Sequence, residues 1–180
     1  MNICFTGHRP NKLGGYDWNT PKNKQIINKL RATIVSVIAH NINESNFHFI
    51  VGGALGIDQM AFNICDELRH LLSDITIEVA VPFQDQPNAW FNQLDKTRYF
   101  KQLQFANKVT YVDSLKKYQA TKIPIGKYNP YKLQIRNEYM VDNSDLVIAI
   151  WDGSKSGTKN CIDYAKGLNK KIVIINPNEI

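Results

Sequence analysis

The chain has 180 residues, of which 43% are hydrophobic and 21% are charged, and its net charge is +6. This composition is typical of a single folded domain, which we expect to span residues 1–180, and it excludes a disordered or low-complexity chain. No apolar run approaches the roughly 20 residues of a membrane helix, and the chain starts with strand-like sequence. We therefore expect no membrane partner and no signal peptide.

Strand-like and helical segments alternate along the chain. Apolar, β-branched segments predict strands at about 2–6, 47–51, 75–81, 108–112, 145–151 and 171–175. Helical periodicity predicts helices at about 21–40, 57–72, 92–106, 131–142 and 158–168, and residues 113–130 are predicted to be irregular. The alternation predicts an α/β fold: a doubly wound, mainly parallel Rossmann-like sheet of about five to seven strands, with helices on both faces.

The cysteines indicate a compartment rather than a site. Cys4, Cys65 and Cys161 are far apart and fit neither a disulfide framework nor a CxxC metal site. We expect buried free thiols, a reducing cytoplasm and no bound metal. The histidines show no metal-ligand spacing, and neither a Walker A lysine motif nor a GxSxG motif is present, so no cofactor is predicted.

Polar or glycine-rich segments directly follow four of the predicted strands. They are Thr6-Gly7-His8-Arg9, Gly52-Gly53-Ala54-Leu55-Gly56-Ile57-Asp58, Pro82-Phe83-Gln84 and Asp152-Gly153-Ser154. In open parallel sheets, ligands bind beyond the carboxyl ends of the strands, where the strand order reverses. These segments therefore predict one cleft at a single edge of the sheet.

Two of these segments, residues 52–58 and 152–158, place a glycine-rich turn between a strand and a helix. Such a turn aims backbone N–H groups and the positive end of a helix dipole at one point, so it suits a phosphate. Two of them predict a ligand with phosphate and sugar groups. Gly52, Gly53 and Gly56 would let the backbone approach that ligand. Asp58 either binds a ribose hydroxyl or is an acidic residue favoured by the first helical turn.

The first and last of these segments supply further candidate contacts. Thr6 and Gly7 would contact a phosphate or a ribose, and Arg9 would neutralise charge; the alternative is a surface turn with solvated His8 and Arg9. The hydroxyl groups of the 152–158 turn would bind the same ligand. Their alternative is an ordinary polar loop with Thr158 as helix N-cap.

Two further candidates come from the second half of the predicted cleft. Arg136 would clamp a phosphate from the outer or N-terminal side of its helix; the alternative is a surface arginine paired with Glu138 or Asp142. Trp90 and Phe83 would stack on a base, unless they pack a loop onto the sheet. Lysines and tyrosines also mix within residues 108–132, which indicates either a solvated surface or a nucleic-acid contact.

Together these motifs resemble the YpsA-like proteins of the SLOG superfamily of Rossmann-like nucleotide-binding domains. The resemblance rests on Phe5-Thr6-Gly7-His8-Arg9-Pro10, the 52–58 segment, Pro82-Phe83 with Gln86 and Trp90, Arg136-Asn137 and Ser144-Asp145. The superfamily includes DprA, the LOG phosphoribohydrolases and sensors of ADP-ribose-like signals in antiphage defence. The resemblance implies a nucleotide or NAD-derived ligand over the two glycine turns, and relatives on phage genomes leave a viral origin open.

The sequence departs from two members of the superfamily. Gly157-Thr158 match the PGGxGTxxE motif of the LOG enzymes, but Cys161 stands at the position of the catalytic glutamate. Hydrolysis of an N-glycosidic bond therefore loses its general acid/base, unless Asp58, Asp152 or His8 replaces it. Gly56-Ile57-Asp58 resembles a GID motif of DprA, but the clustered basic surface of a DNA binder is not evident in the sequence.

The expected function is binding of a nucleotide or ADP-ribose-type ligand, as a sensor or sequestering protein in phage–host signalling. The alternatives are nucleotide N-glycosidic hydrolysis and binding of single-stranded nucleic acid, and a homo-oligomer is left open. The predicted ligand-binding residues are Thr6, Gly7, His8, Arg9, Gly52, Gly53, Ala54, Gly56, Asp58, Pro82, Phe83, Trp90, Arg136, Asn137, Asp152, Gly153, Ser154, Ser156, Gly157 and Thr158.

Overall fold

The computed structural model describes residues 1–72, 74–119 and 122–180. In these residues the strands are β1 (Asn2–Gly7), β2 (Phe47–Val51), β3 (Ile75–Val81), β4 (Lys108–Tyr111), β5 (Leu146–Ile150) and β6 (Lys171–Ile175). The helices are α1 (Pro21–His40), α2 (Ile57–Arg69), α3 (Gln93–Phe105), α4 (Pro130–Asp142) and α5 (Gly157–Gly167). Within these residues no helix is long and apolar enough to span a membrane.

The strands form one sheet in the order β4-β3-β2-β1-β5-β6, and every neighbouring pair is parallel. The chain builds outward from β1 to β4 and then returns to place β5 on the other side of β1. The strand order therefore reverses between β1 and β5, and all carboxyl ends lie at one edge. The predicted doubly wound Rossmann-like fold is confirmed.

Side chains alternate between the two faces of the sheet, as the two-residue period of a strand requires. Ile3 and Phe5 pack in the core that contains α1 and α2, whereas Cys4, between them, packs in the core that contains α4 and α5. In β5, Ile148 packs in the core with α1 and α2, and Val147 packs in the core with α4 and α5. The central strands are buried on both faces, which explains their nearly continuous apolar sequence.

Most predicted boundaries hold to within two residues, because clear capping signals mark them. Thr20 caps α1 by accepting a hydrogen bond from the Asn23 N–H at 3.3 Å, with Pro21 at the first helical position. The helix predicted to reach residue 72 ends at Arg69, because the chain turns at residues 70–71, and Leu71 and Leu72 are exposed. The three cysteines are free and buried, as predicted.

The segment predicted to be irregular contains short 3-10 helices at Val112–Ser114 and Lys116–Tyr118, while residues 120–121 lie outside the described residues. Lys132 organises the segment from its buried position. Its ammonium donates to Asp113 Oδ2 at 2.7 Å, to the Pro124 carbonyl at 2.6 Å and to the Lys127 carbonyl at 3.0 Å. The prediction of a solvated surface is therefore wrong for Lys132, which is 2% exposed.

Candidate functional site

A cleft of about 370 Å³ lies at the carboxyl edge of the sheet, where the strand order reverses. It is lined by the carboxyl end of β1 with the loop that follows, by the start of α2, by the middle of α4 and by the N-terminus of α5. Its lining residues are Thr6, Gly7, His8, Arg9, Asn11, Lys12, Ala54, Asp58, Leu133, Arg136, Asn137, Lys155, Ser156, Gly157 and Thr158. This is the position at which doubly wound folds bind ligands.

The structure brings eleven of the predicted residues together in this cleft and leaves nine outside its lining. Those outside are Gly52, Gly53, Gly56, Pro82, Phe83, Trp90, Asp152, Gly153 and Ser154. The four lining residues that sequence reasoning missed are Asn11, Lys12, Leu133 and Lys155. Continuing the first and last polar segments by one to three residues would have found three of them. Leu133 lies one helical turn before Arg136, a spacing that places both on the same face of α4.

Arg136 points into the protein rather than along its surface. Its Nη1 donates to Asp58 Oδ2 at 3.1 Å, and both residues are more than nine-tenths buried. Asp58 Oδ2 also accepts from the Ala54 N–H at 3.2 Å. The alternative of a surface arginine paired with Glu138 or Asp142 is wrong, because α4 packs on the sheet with this face inward.

The glycines of the 52–58 turn make room for groups of the protein itself. A Cβ on Gly52 would overlap Arg136 Nη1. Gly56 has a φ of +91°, and a Cβ there would lie 2.5 Å from the His8 carbonyl oxygen. Asp58 lies in the first turn of α2, and its carboxylate accepts from the Ala54 N–H of the turn where a bound anion was predicted. Protein atoms therefore fill the space beside the glycines of this turn.

Arg136 is only partly satisfied by the protein. Its Nε is buried and has no hydrogen-bond partner among the described residues. A buried donor of this kind is costly when it is left unpaired, and native proteins nearly always satisfy it. Arg136 also lines the cleft, so its guanidinium charge favours an anionic ligand there.

The 152–158 turn presents the opposite arrangement. Ser156 caps α5 by accepting from the Lys159 N–H at 3.2 Å. The N–H groups of Gly157 and Thr158 begin the helix and have no intrahelical acceptor. A Cβ on Gly157 would meet nothing within 4 Å. The positive end of the α5 dipole is therefore open to the cleft and can bind an anion.

A polar network ties this open turn to the loop after β1. His8 Nε2 lies 2.7 Å from Asp152 Oδ1, which also accepts from the Ser154 N–H at 2.9 Å. Lys12 Nζ in turn donates to Ser154 Oγ at 2.6 Å. Hydrogen bonds from the Ser154 hydroxyl and N–H, and then the neighbouring His8, hold the pKa of Asp152 below its usual range. Asp152 thus positions the turn as a carboxylate behind the cleft.

Positive charge dominates the cleft. Arg9, Lys12, Arg136 and Lys155 line it together with a single carboxylate, that of Asp58, among the described residues. The cleft therefore suits an anionic ligand. Neither here nor elsewhere in the described residues do three His, Cys, Asp or Glu side chains cluster as a metal site would require.

Cys161 lies behind the cleft rather than in it. The residue is fully buried, and burial raises the pKa of its thiol to about 11, against a smaller opposing effect of a hydrogen bond with Thr6. At neutral pH this group is a thiol, and it exchanges protons far less readily than the glutamate of the related LOG motif would.

The two predicted base-stacking residues do not share one surface. Phe83 is buried, with its ring packed edge-on to Tyr128 at a centroid distance of 5.5 Å. Trp90 packs edge-on to Tyr99 at 5.2 Å and lines a second cavity of about 510 Å³. Stacking on a base therefore stays a prediction, and for Trp90 it concerns this second cavity.

Comparison with known proteins places the chain in a family. The YpsA family model, described as the YspA SLOG family, matches residues 3–179. The chain belongs to this family. An uncharacterised SPbeta prophage-derived protein of Bacillus subtilis, YoqJ, is 40% identical over 139 residues, which cover 77% of this chain and 81% of YoqJ. The UPF0398 protein BH1768 of Halalkalibacterium halodurans is 26% identical, covering 87% of this chain and 75% of that protein.

Two solved structures of DNA processing protein A (DprA) share the fold. The Streptococcus pneumoniae protein superposes with a TM-score of 0.57 at 11% identity, over 97% of this chain. The Helicobacter pylori protein gives 0.55 at 20% identity, over 98% of this chain, and its structure is described as showing the single-stranded DNA binding mode of that protein. This chain spans 50% and 65% of the two DprA chains, respectively.

Proposed function

We propose that this chain binds a phosphorylated ligand of the nucleotide class, with a phosphate at the N-terminus of α5. The observation that carries the proposal is that the open start of α5 and the cation of Arg136 line one cleft. The open helix start at Gly157 faces the same space as Arg136, whose buried Nε has no partner among the described residues. A volume of about 370 Å³ lies within the usual range for small-molecule sites.

The finer form of the proposal is an ADP-ribose-type ligand that the protein senses or sequesters. Four cations in the lining fit a ligand with more than one phosphate group. The 40% identity to a prophage-derived protein supports a role in phage–host signalling. The free buried cysteines agree with a reducing cytoplasm.

Binding without hydrolysis agrees best with the state of the carboxyl groups. A general acid for glycosidic cleavage needs a pKa raised towards neutrality. Asp58 instead pairs with Arg136, and the pKa of Asp152 is lowered by Ser154 and His8. Cys161, at the position of the LOG glutamate, is a buried thiol.

Binding of single-stranded nucleic acid is the second candidate. It is favoured by the shared fold with DprA and by exposed tyrosines among lysines in residues 108–132. Tyr128 and Tyr131 are 62% and 61% exposed, and aromatic side chains next to cations provide stacking surfaces for bases. In this reading the basic cleft would hold one backbone phosphate.

The test compares two valine variants of the same helix. Gly157→Val places a branched side chain in the open space at the start of α5, whereas Gly167→Val places one in open space at its other end. Calorimetric titration with AMP, ADP-ribose and NAD should show binding by the natural chain. We expect Gly157→Val to weaken it at least tenfold and Gly167→Val to change it less than twofold, with thermal unfolding of the free variants as the folding control.

The outcomes separate the candidates. Equal affinity of a folded Gly157→Val variant for every ligand contradicts the proposed phosphate position. Chromatography of each mixture detects released base, which would establish hydrolysis. Binding of an oligonucleotide with a steep salt dependence, without any response to mononucleotides, would favour the nucleic-acid candidate.

A further inference from the structure

The second cavity combines aromatic surface with a buried polar atom. Its lining includes Tyr16, Leu55, Trp90, Phe91 and Asp95. Phe91 is fully exposed and Tyr16 is 51% exposed. Exposed aromatic rings that lie together beside a cavity can form a ligand-binding groove.

Asp95 supplies an unsatisfied acceptor in this cavity. The residue is 3% exposed, and its Oδ1 accepts from Arg98 Nη1 at 2.9 Å. Its Oδ2 is buried and has no donor among the described residues. A buried carboxylate oxygen without a donor is costly, so an N–H or O–H group of a water or of a ligand is a suitable partner.

The aromatic cavity lies next to the basic cleft along two loops. Ala54 lines the cleft and Leu55 lines the aromatic cavity, and their Cα atoms are separated by one peptide unit, about 3.8 Å. The loop after β1 also contributes to both, with Lys12 in the cleft and Tyr16 in the aromatic cavity. The two spaces are therefore neighbours, lined by consecutive residues of one turn.

We propose that the aromatic cavity is the base site of the ligand whose phosphate occupies the cleft, an inference that rests on the proposed function. The base would stack against Trp90 or Phe91 and donate an N–H group to Asp95 Oδ2. Trp90 is suited to this role because its edge-on contact with Tyr99 fixes the ring. A planar heterocycle with an N–H donor at its edge is the chemistry that matches both features.

The experiment compares a nucleotide with the same molecule lacking its base. The probes are ribose 5-phosphate and the four nucleoside monophosphates AMP, GMP, CMP and UMP, titrated calorimetrically into the full chain. We expect at least one nucleotide to bind ten or more times more tightly than ribose 5-phosphate. That difference in affinity then measures the contribution of the base.

Two variants locate the difference in the aromatic cavity. Asp95→Asn keeps an acceptor oxygen towards Arg98 and replaces Oδ2 by an NH₂ group, which cannot accept a hydrogen bond. Phe91→Ala removes a fully exposed ring, so it should not disturb folding. Each variant should reduce the preference for the nucleotide at least fivefold and leave the affinity for ribose 5-phosphate within twofold.

Matched controls lie elsewhere on the helices. Asp66→Asn alters the equivalent carboxylate–arginine pair with Arg69 in α2, three residues apart like Asp95 and Arg98. Phe105→Ala removes a half-exposed ring at the end of α3, outside the aromatic cavity. Neither control should change the preference for the nucleotide over ribose 5-phosphate. If the aromatic cavity binds a protein instead of a base, all four variants should bind nucleotides with the same affinity.

Failure of this inference is distinguishable from failure of the proposed function. If ribose 5-phosphate binds as tightly as every nucleotide, or the preference survives both variants, the base site is wrong while the phosphate site stands. If neither the sugar phosphate nor any nucleotide binds, both are overturned.

Discussion

The two glycine-rich turns of this protein look alike in sequence and differ in structure. Each follows a buried parallel strand and leads into a helix, α2 after the 52–58 turn and α5 after the 152–158 turn. Both contribute to the cleft, but in the first turn Asp58 and Arg136 occupy the space beside Gly52, whereas in the second the space beside Gly157 is open. A glycine at the end of a strand thus indicates close approach of some group, which can be a side chain of the protein itself.

The surroundings of the glycines explain the difference. Side chains added at Gly52 or Gly56 would collide with other parts of the chain, whereas one added at Gly157 meets open space. The anion at the start of α2 is the Asp58 carboxylate, while the start of α5 has no such internal anion among the described residues. The open turn is therefore the one expected to bind an external phosphate.

The largest effect that this comparison predicts is that of Gly52→Ala. Its Cβ would overlap the Arg136 guanidinium, so the buried pair with Asp58 must separate. Breaking a buried ion pair costs roughly 3–5 kcal/mol, and overpacking adds about 1–3 kcal/mol. We expect urea unfolding to show a loss of at least about 4 kcal/mol, or too little folded protein to measure.

Gly157→Ala is the matched control for Gly52→Ala, since both are glycines of strand–helix turns. It should leave the free energy of unfolding within about 0.5 kcal/mol of the natural value, because its Cβ meets nothing. If the two variants were equally stable, the distinction between a filled turn and an open turn would be wrong.

The second prediction isolates the ion pair of the filled turn. Arg136→Met leaves the Asp58 carboxylate buried without its cation, which should cost roughly 3–5 kcal/mol. Adding Asp58→Asn removes the unpaired charge, so the double variant should recover about 1–3 kcal/mol relative to Arg136→Met alone. Additive losses in urea unfolding would show that the two side chains act independently.

These side chains also mark the limit of what the sequence could predict. The fold follows from local periodicity and turn signals, so the strands and helices were placed correctly. The inward orientation of Arg136 depends on Asp58, 78 positions earlier in the chain, and local spacing carries no information on that contact. The position of the cleft was predictable from the strand ends, but its division into filled and open turns required the three-dimensional structure.

The third prediction concerns another anion that the protein satisfies internally. Burial raises the pKa of Glu78, but hydrogen bonds from four neighbours lower it to about 2. The donors are His48, Tyr139, Thr110 and Lys108. Because the pKa is lower in the folded state than the usual value of about 4.3, the stabilisation is present above pH 4–5 and is lost as the pH falls towards 2.

Glu78→Gln tests this contribution. After allowance for solvent screening near the exposed Lys108, we expect a loss of about 2 kcal/mol at pH 7. The variant should also lose less stability than the natural chain between about pH 5 and pH 2.5. Parallel pH profiles of the unfolding free energy would contradict the assignment to Glu78.

The smallest predicted effect on stability sharpens the comparison at the open turn. Gly157→Ala and Gly167→Ala both add a methyl group in open space, at the first and last residues of α5. Alanine favours helix more than glycine by up to about 1 kcal/mol in a helix interior, and by less at the ends. Chemical unfolding should therefore show both variants equal to or slightly more stable than the natural chain.

Only Gly157→Ala should weaken binding of a phosphorylated ligand, since Gly157 alone of the two lines the cleft. Equal weakening by both would mean that the phosphate does not sit at the start of α5.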